Sequence, residues 1–201
     1  MAMQYNIMND RSIRHWVKYI AGKEPTFEEL YRIIKANLEE YYRRVNLPNP
    51  KRLDIKRFLY YAIAMLQLTN GLRATEAIYA LKEYLTKGNK SFSMLAEKSN
   101  KERWVYVPDI LVSMTPTLKT YLDVLKTINR KSYYRFLQHN LGINPHTLRY
   151  VFIDKAIRKM GIGDTVVYMG YASPKHLMEY YRTIRAKEKL IEFVKELTKE
   201  L

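Results

Sequence analysis

LQLTNGLRATEA, residues 66–77, is the stretch on which the fold of this chain turns. Asn70-Gly71 is a helix stop, because glycine enters the left-handed region without a Cβ clash. Upstream, Arg52 to Thr69 reads as an apolar helix, and downstream a new helix starts near Thr75. Arg73 and Glu76 therefore fall just after the stop, at the start of the second helix. A glutamate there is favoured by the helix dipole on its own account. An arginine beside a tight turn is a candidate for a fixed anion-binding group, since its planar fork reaches two oxygens and keeps its proton.

Outward from this stretch the chain is mainly helical. PTFEELYRIIKANLEEYYRRV, residues 25–45, opens on a capping box, Thr26 with Glu29, and sets Leu30, Ile33, Ile34 and Leu38 at helical spacing. LPNP, residues 47–50, breaks the chain. Residues 1–22 read as a short segment or linker with a helix from Arg11 to Tyr19 that ends near Gly22. Beyond the third helix the texture changes. Ser91–Glu97 and Arg103–Val107 read as two strands around the polar turn KSNK, with Trp104 and Tyr106 on one face and Val105 and Val107 on the other. From Pro116 the pattern returns to helix: Leu118–Ile128, Ser132–His139, His146–Met160, a short one near Val166, and Ser173 to the end. The expectation is an α+β chain, mostly α-helical, with a small antiparallel β-sheet. One domain would occupy 23–201, its last part a helical tail.

Lys and Arg number 35 against 20 Asp and Glu, a formal charge of +15. So basic a balance predicts a polyanionic partner, nucleic acid first. The chain has no cysteine, which excludes disulfides and thiolate metal sites and suits a reducing interior. His15, His139 and His176 lack metal-ligand spacing, so no metal is expected. No apolar run is long enough to span a membrane, and the N-terminus lacks the apolar core of a signal peptide. A soluble, cytoplasmic protein is expected.

Three more patterns follow in order. EKSNKERWVYVP, residues 97–108, holds Lys98 in the turn, with Lys101 as its fallback. NPHTLRYVF, residues 144–152, pairs His146 with Arg149. MGYASPKHLMEYYRT, residues 169–183, holds Tyr171 and then the pair Tyr180-Tyr181. In this order and at this spacing the four resemble the tyrosine recombinase family, the integrases and Xer-type resolvases. That family's motifs read approximately T-G-L-R-x-x-E, G-K-G-x-K-x-R, H-x-L-R, and L-G-H followed nine residues later by Tyr. The resemblance runs from about Pro25 to Arg185. It implies the catalytic-domain fold of DNA breaking-rejoining enzymes, with integrases of archaeal viruses or plasmids among the possible relatives.

By this resemblance Arg73 is the first catalytic arginine, with Glu76 supporting it. Lys98 is the lysine of the β-hairpin turn, and His146 and Arg149 form the HxxR pair. Tyr171 stands where the family has His or Trp, and Tyr180 falls at the nucleophile position. Tyr181 is the alternative nucleophile; the two lie about 100° apart on a helix, so only one can face a phosphate. The implied activity is site-specific recombination of double-stranded DNA through a 3′-phosphotyrosyl intermediate, without cofactor or metal. Assembly as a tetramer on paired sites is implied too. Two features depart from the family. Tyr171 carries no charge at neutral pH, with His176 nearby as a partial replacement. Only the segment 1–22 precedes the domain, where relatives carry a DNA-clamping domain.

The residue types suit the chemistry. Arg73 and Arg149 would stabilise a charged phosphorane, Lys98 on a turn would protonate the leaving 5′-oxygen, and His146 would donate a hydrogen bond or relay a proton. A tyrosine phenol, ordinarily of pKa about 10, attacks more easily beside arginines that lower it. Two rival readings use the same residues: a type IB topoisomerase-like DNA relaxase, and a catalytically weak DNA-binding protein on the same fold. The tail sets Leu190, Ile191, Val194, Leu197 and Leu201 on one stripe. That stripe packs either on its own domain or on a neighbouring protomer.

Overall fold

The computed structural model describes residues 25–97, 101–170 and 177. The helix expected at 11–19, Lys98, Tyr171, His176, Tyr180, Tyr181 and the apolar stripe of the tail lie outside the described residues.

Helix α1 (Phe27–Val45) begins on its capping box: the Thr26 hydroxyl accepts the Glu29 amide at 3.2 Å, and the Glu29 carboxylate accepts the Thr26 amide at 2.7 Å. Leu30, Ile34, Leu38 and Val45 form its buried stripe. Ile33, one step round from Ile34, falls at the stripe's edge and stays 44% exposed. Helix α2 (Arg52–Asn70) is the centre of the domain, with every side chain from Tyr61 to Leu68 buried. An apolar girdle of that kind requires neighbours on all sides. Helix α1, helix α3 (Ala74–Lys87) and helix α8 (Pro145–Tyr168) supply them.

The two strands, β1 (Ser91–Leu95) and β2 (Glu102–Tyr106), pair antiparallel with Phe92 opposite Val105 and Ser93 opposite Trp104. The pairing closes at one end through the Ala96 amide on the Lys101 carbonyl and at the other through the Val107 amide on the Lys90 carbonyl, both at 2.9 Å. Val105 and Val107 face the core, while Trp104 and Tyr106 face out, as the alternation requires.

The helix expected over Leu118–Ile128 is instead three short ones starting further upstream: α4 (Asp109–Ser113), α5 (Thr115–Thr120) and α6 (Leu122–Thr127). Leu111, Leu118 and Leu125, seven apart, keep one buried face through the breaks. At the second break the Tyr121 hydroxyl donates to the Val45 carbonyl at 2.7 Å, which anchors the segment to the end of α1. Helix α7 (Arg130–Leu141) leads into α8. Gly161, at φ 84° and ψ 170°, kinks α8, so the two helices expected over 146–160 and near Val166 are its two arms.

The architecture is thus mostly helical with one small two-stranded antiparallel sheet. One large core surrounds α2. A smaller cluster joins Ile153 and Ile157 of α8 to Met169 and Leu177.

Candidate active site

The site is built around the stop after α2. Gly71 takes φ 60°, and a Cβ there would stand 2.3 Å from the Phe152 ring. Glycine therefore meets two needs, the left-handed turn and the close approach of α8. Arg149, one turn before Phe152 on α8, donates to the Gly71 carbonyl at 2.6 Å. Gln67 fixes the same two pieces of chain. Its amide nitrogen donates to the Leu72 carbonyl at 3.1 Å and to the Pro145 carbonyl at 2.9 Å, while its oxygen accepts the Tyr133 hydroxyl at 2.7 Å. Burial pushes the Tyr133 phenol far up, which keeps it a proton donor. The Asn144 side chain caps α8, accepting the His146 and Thr147 amides at 2.8 and 3.2 Å.

Glu76 lies at the centre, in the first turn of α3, and is 3% exposed. One of its oxygens accepts the Arg73 guanidinium at 2.7 Å and the Glu97 amide at 3.0 Å. The other accepts the Arg73 amide at 2.8 Å and the Arg103 guanidinium at 3.2 Å. Arg149 Nη1 stands 3.9 Å from that second oxygen. Arg103 also donates to the Asn70 carbonyl at 2.7 Å, and its guanidinium carbon lies 5.5 Å from the centre of the Tyr168 ring. Asn70 in turn behaves as a strand partner: its amide donates to the Tyr106 carbonyl and its oxygen accepts the Tyr106 amide, both at 2.9 Å. Strand β2 is thereby locked to the end of α2.

The electrostatics are unbalanced. Among the described residues, three guanidinium groups stand around this one carboxylate. Burial opposes ionisation of Glu76, but the Arg73 amide and the charge of Arg103 outweigh it and hold the carboxyl below its ordinary range. Burial and repulsion from Arg149 pull Arg103 downward, partly offset by Glu76. Burial raises the Tyr168 phenol, with Arg103 opposing. Among the three arginines Arg73 is the most open, its side chain 17% exposed against 0% for Arg103 and 4% for Arg149. A partly open guanidinium fork beside two buried ones has the donor geometry to receive an anion with several oxygens.

Of the residues singled out from sequence, Arg73, Glu76 and Arg149 come together on one carboxylate. His146 is exposed on the first turn of α8, three residues before Arg149, and its ring stacks on Tyr150 with centroids 6.1 Å apart. Lys98 lies outside the described residues, but its neighbour Glu97 is fixed by Glu76 and by the Thr75 hydroxyl at 2.7 Å. Tyr171 and Tyr180 also lie outside them. Leu177, three positions before Tyr180, is 4% exposed and packed on Ile153 and Ile157. Sequence reading missed Arg103, Asn70 and Tyr168. Arg103 was accessible: it shares its parity with Val105 and Val107, which places it on the inner face of β2.

Among the described residues, no helix is long and apolar enough to cross a membrane, and no group of three or more His, Cys, Asp or Glu could hold a metal ion. The chain is 32% identical over 136 residues to "Putative integrase ORF241" of Acidianus two-tailed virus, covering 65% of this chain and 54% of that protein. It is 26% identical over 176 residues to "Putative integrase V10" of Sputnik virophage, covering 75% of this chain and 78% of that protein. The chain therefore spans about half the length of the first of these curated relatives. No family model and no solved structure matches it. Both relatives are viral proteins named as putative integrases.

Proposed function

We propose that this chain is the catalytic part of a tyrosine-type site-specific recombinase of a mobile element, which cuts and rejoins double-stranded DNA. The observation that carries the reading is the convergence, among the described residues, of three guanidinium groups on Glu76, with Arg73 partly open beside buried Arg149. A phosphodiester passing through a charged phosphorane matches that convergence. The integrase names of the two viral relatives support DNA integration as the process served, and the net charge of +15 fits a DNA partner.

In this reading the Tyr180 oxygen attacks phosphorus, its proton passing through His146 to water. The bond to the 5′-oxygen breaks, Lys98 gives that oxygen a proton, and the protein is left joined to the 3′-phosphate. A 5′-hydroxyl of another strand reverses the step, so the phosphotyrosyl bond conserves the energy of the cut. Tyr171 would add a hydrogen bond at the site. The tail stripe from Leu190 to Leu201 would join protomers in a tetramer on paired sites.

A nicked suicide duplex tests the reading, because a cut fragment diffuses away and traps the covalent adduct. The adduct is expected with the wild type and absent with Tyr180→Phe, while DNA binding persists. An adduct that survives in Tyr180→Phe and vanishes in Tyr181→Phe moves the nucleophile by one residue. No adduct on any duplex, with binding intact, leaves only a DNA-binding protein. Adduct formation on every sequence alike identifies a relaxase.

A further inference from the structure

The outer face of the hairpin carries three large apolar side chains in the open: Leu95 at 64% exposure, Trp104 at 60% and Tyr106 at 54%. Nothing in the chemistry around Glu76 uses them, since that site lies beneath the inner face. The register explains why the rings are accessible. Trp104 stands opposite Ser93 and Tyr106 opposite Ser91, so each aromatic has a small polar partner across the pair in place of a second bulky chain. The two rings are two residues apart on one strand, a step of about 7 Å along the chain. That spacing lets each ring take its own base. Two lysines flank the strands outside the paired residues, and exposed Glu102 shares the outer face opposite Leu95. Lys90 Nζ lies 4.8 Å from the centre of the Tyr106 ring and pairs with Asp109, and exposed Lys101 leads into β2 from the other side.

We propose that this face is a stacking platform for single-stranded DNA, with Trp104 and Tyr106 each receiving an unpaired base. Flat aromatic faces set among lysines on a strand are the means by which proteins hold single strands without reading sequence, because every base has a π-face. The net charge of +15 supplies the long-range attraction for the backbone. The proposal rests on the reading above in one respect: an enzyme that cuts one strand and passes its end to another duplex must unpair bases on the way. The platform would hold them while they lack a complement.

The test uses the full chain carrying Trp16→Phe, so that Trp104 is the one remaining indole. Titration with short oligo-dT at low salt should quench its emission to saturation. Labelled oligonucleotides should show Trp104→Ala weakening single-strand affinity roughly tenfold, with Trp104→Phe restoring most of it and duplex affinity nearly unchanged. Absent quenching with duplex binding intact overturns the platform and leaves the DNA-cutting reading standing. Equal loss of single-strand and duplex binding in Trp104→Ala overturns it too, making the face a general DNA contact. An emission change that follows protein concentration without DNA assigns the face to a second copy of the chain. Failure to bind either form of DNA removes the DNA-cutting reading itself.

Discussion

The Arg103 guanidinium donates to Glu76 Oε2 at 3.2 Å, and the two side chains are closed to solvent at 0% and 2% exposure. The pair makes Glu76 the counterion of an internal arginine as well as the support of Arg73. The carboxyl is held below its ordinary 4.5 against the opposing effect of burial. A group with a depressed folded pKa stabilises the fold above its unfolded pKa and loses that contribution as pH falls through the folded one. Wild-type stability should therefore decline as pH drops below about 4.5. Glu76→Gln removes this group's titration, so its curve should be flatter across that window. At neutral pH the same substitution should cost on the order of 3 kcal/mol, because buried guanidinium groups lose their counterion. Chemical-denaturation midpoints measured against pH check both statements, and parallel curves would remove Glu76 as the titrating group.

The turn at Gly71 yields a second expectation. Gly71 and Gly88 both hold left-handed conformations, at φ 60° and 79°. A Cβ at Gly88 meets nothing within 4 Å, whereas one at Gly71 meets the Phe152 ring at 2.3 Å. Gly88→Ala should cost about 1 kcal/mol, the strain of a left-handed alanine. Gly71→Ala should cost roughly 1–3 kcal/mol more, because a packed ring must move. Shortening Phe152 to leucine in the Gly71→Ala background should recover part of the difference. Thermal denaturation of the three variants beside the wild type decides the matter; equal losses at the two glycines would discard the close approach as a constraint.

Much of this geometry was legible in local sequence. The stop at Asn70-Gly71, the placement of Glu76 three residues after Arg73, and the parity of Val105 and Val107 are one- to four-residue signals, and the backbone obeys them. The long-range ties were not legible. Asn70 reads as a stop residue, but its second role as a strand partner for Tyr106 depends on a segment 36 positions away. Arg103 stands on the inner face by parity, yet arginine is so seldom fully buried that a surface position is the natural expectation. Its burial becomes intelligible only with Glu76 and the Asn70 carbonyl in place. The long helix expected over 118–128 failed for a similar reason: Tyr121 satisfies the Val45 carbonyl at the end of another helix. The convergence of Arg73 and Arg149 was expected from a family pattern; the fold achieves it through Gly71 and Gln67, which that pattern does not specify.

Arg73 and Arg149 should separate in mutational behaviour despite sharing a carboxylate. Arg149 is 4% exposed and holds the Gly71 carbonyl at 2.6 Å, so it supports the fold as well as any bound anion. Arg73 is more open and its backbone caps α3 whatever its side chain. On the proposed reading, alanine at either position should lower cleavage on the order of a hundredfold, as loss of a preorganised donor does. Only Arg149→Ala should also lower the melting temperature markedly. Suicide-substrate rates beside thermal melts separate the two effects. A larger melting loss in Arg73→Ala than in Arg149→Ala would contradict this division of labour.

The last expectation concerns the turn between the strands. Glu97 is held on both sides, its amide by Glu76 at 3.0 Å and its carboxylate by the Thr75 hydroxyl at 2.7 Å. Lys98 follows directly, so the chain enters the turn from a point fixed to the arginine cluster. If Lys98 is the acid that protonates the leaving oxygen, Lys98→Ala should slow cutting of an ordinary duplex far more than cutting of one whose leaving atom is 5′-sulfur. A thiolate departs without a proton and has no need of the lysine. The comparison is internal, since both substrates meet the same variant and the same arginines, and a loss of folding or binding would depress both rates together. Thr75→Val should give a milder version of the same asymmetry, because it loosens Glu97 while leaving Lys98 in the chain. Equal slowing on both substrates in Lys98→Ala would exclude the lysine as the proton donor and direct the same experiment to Lys101.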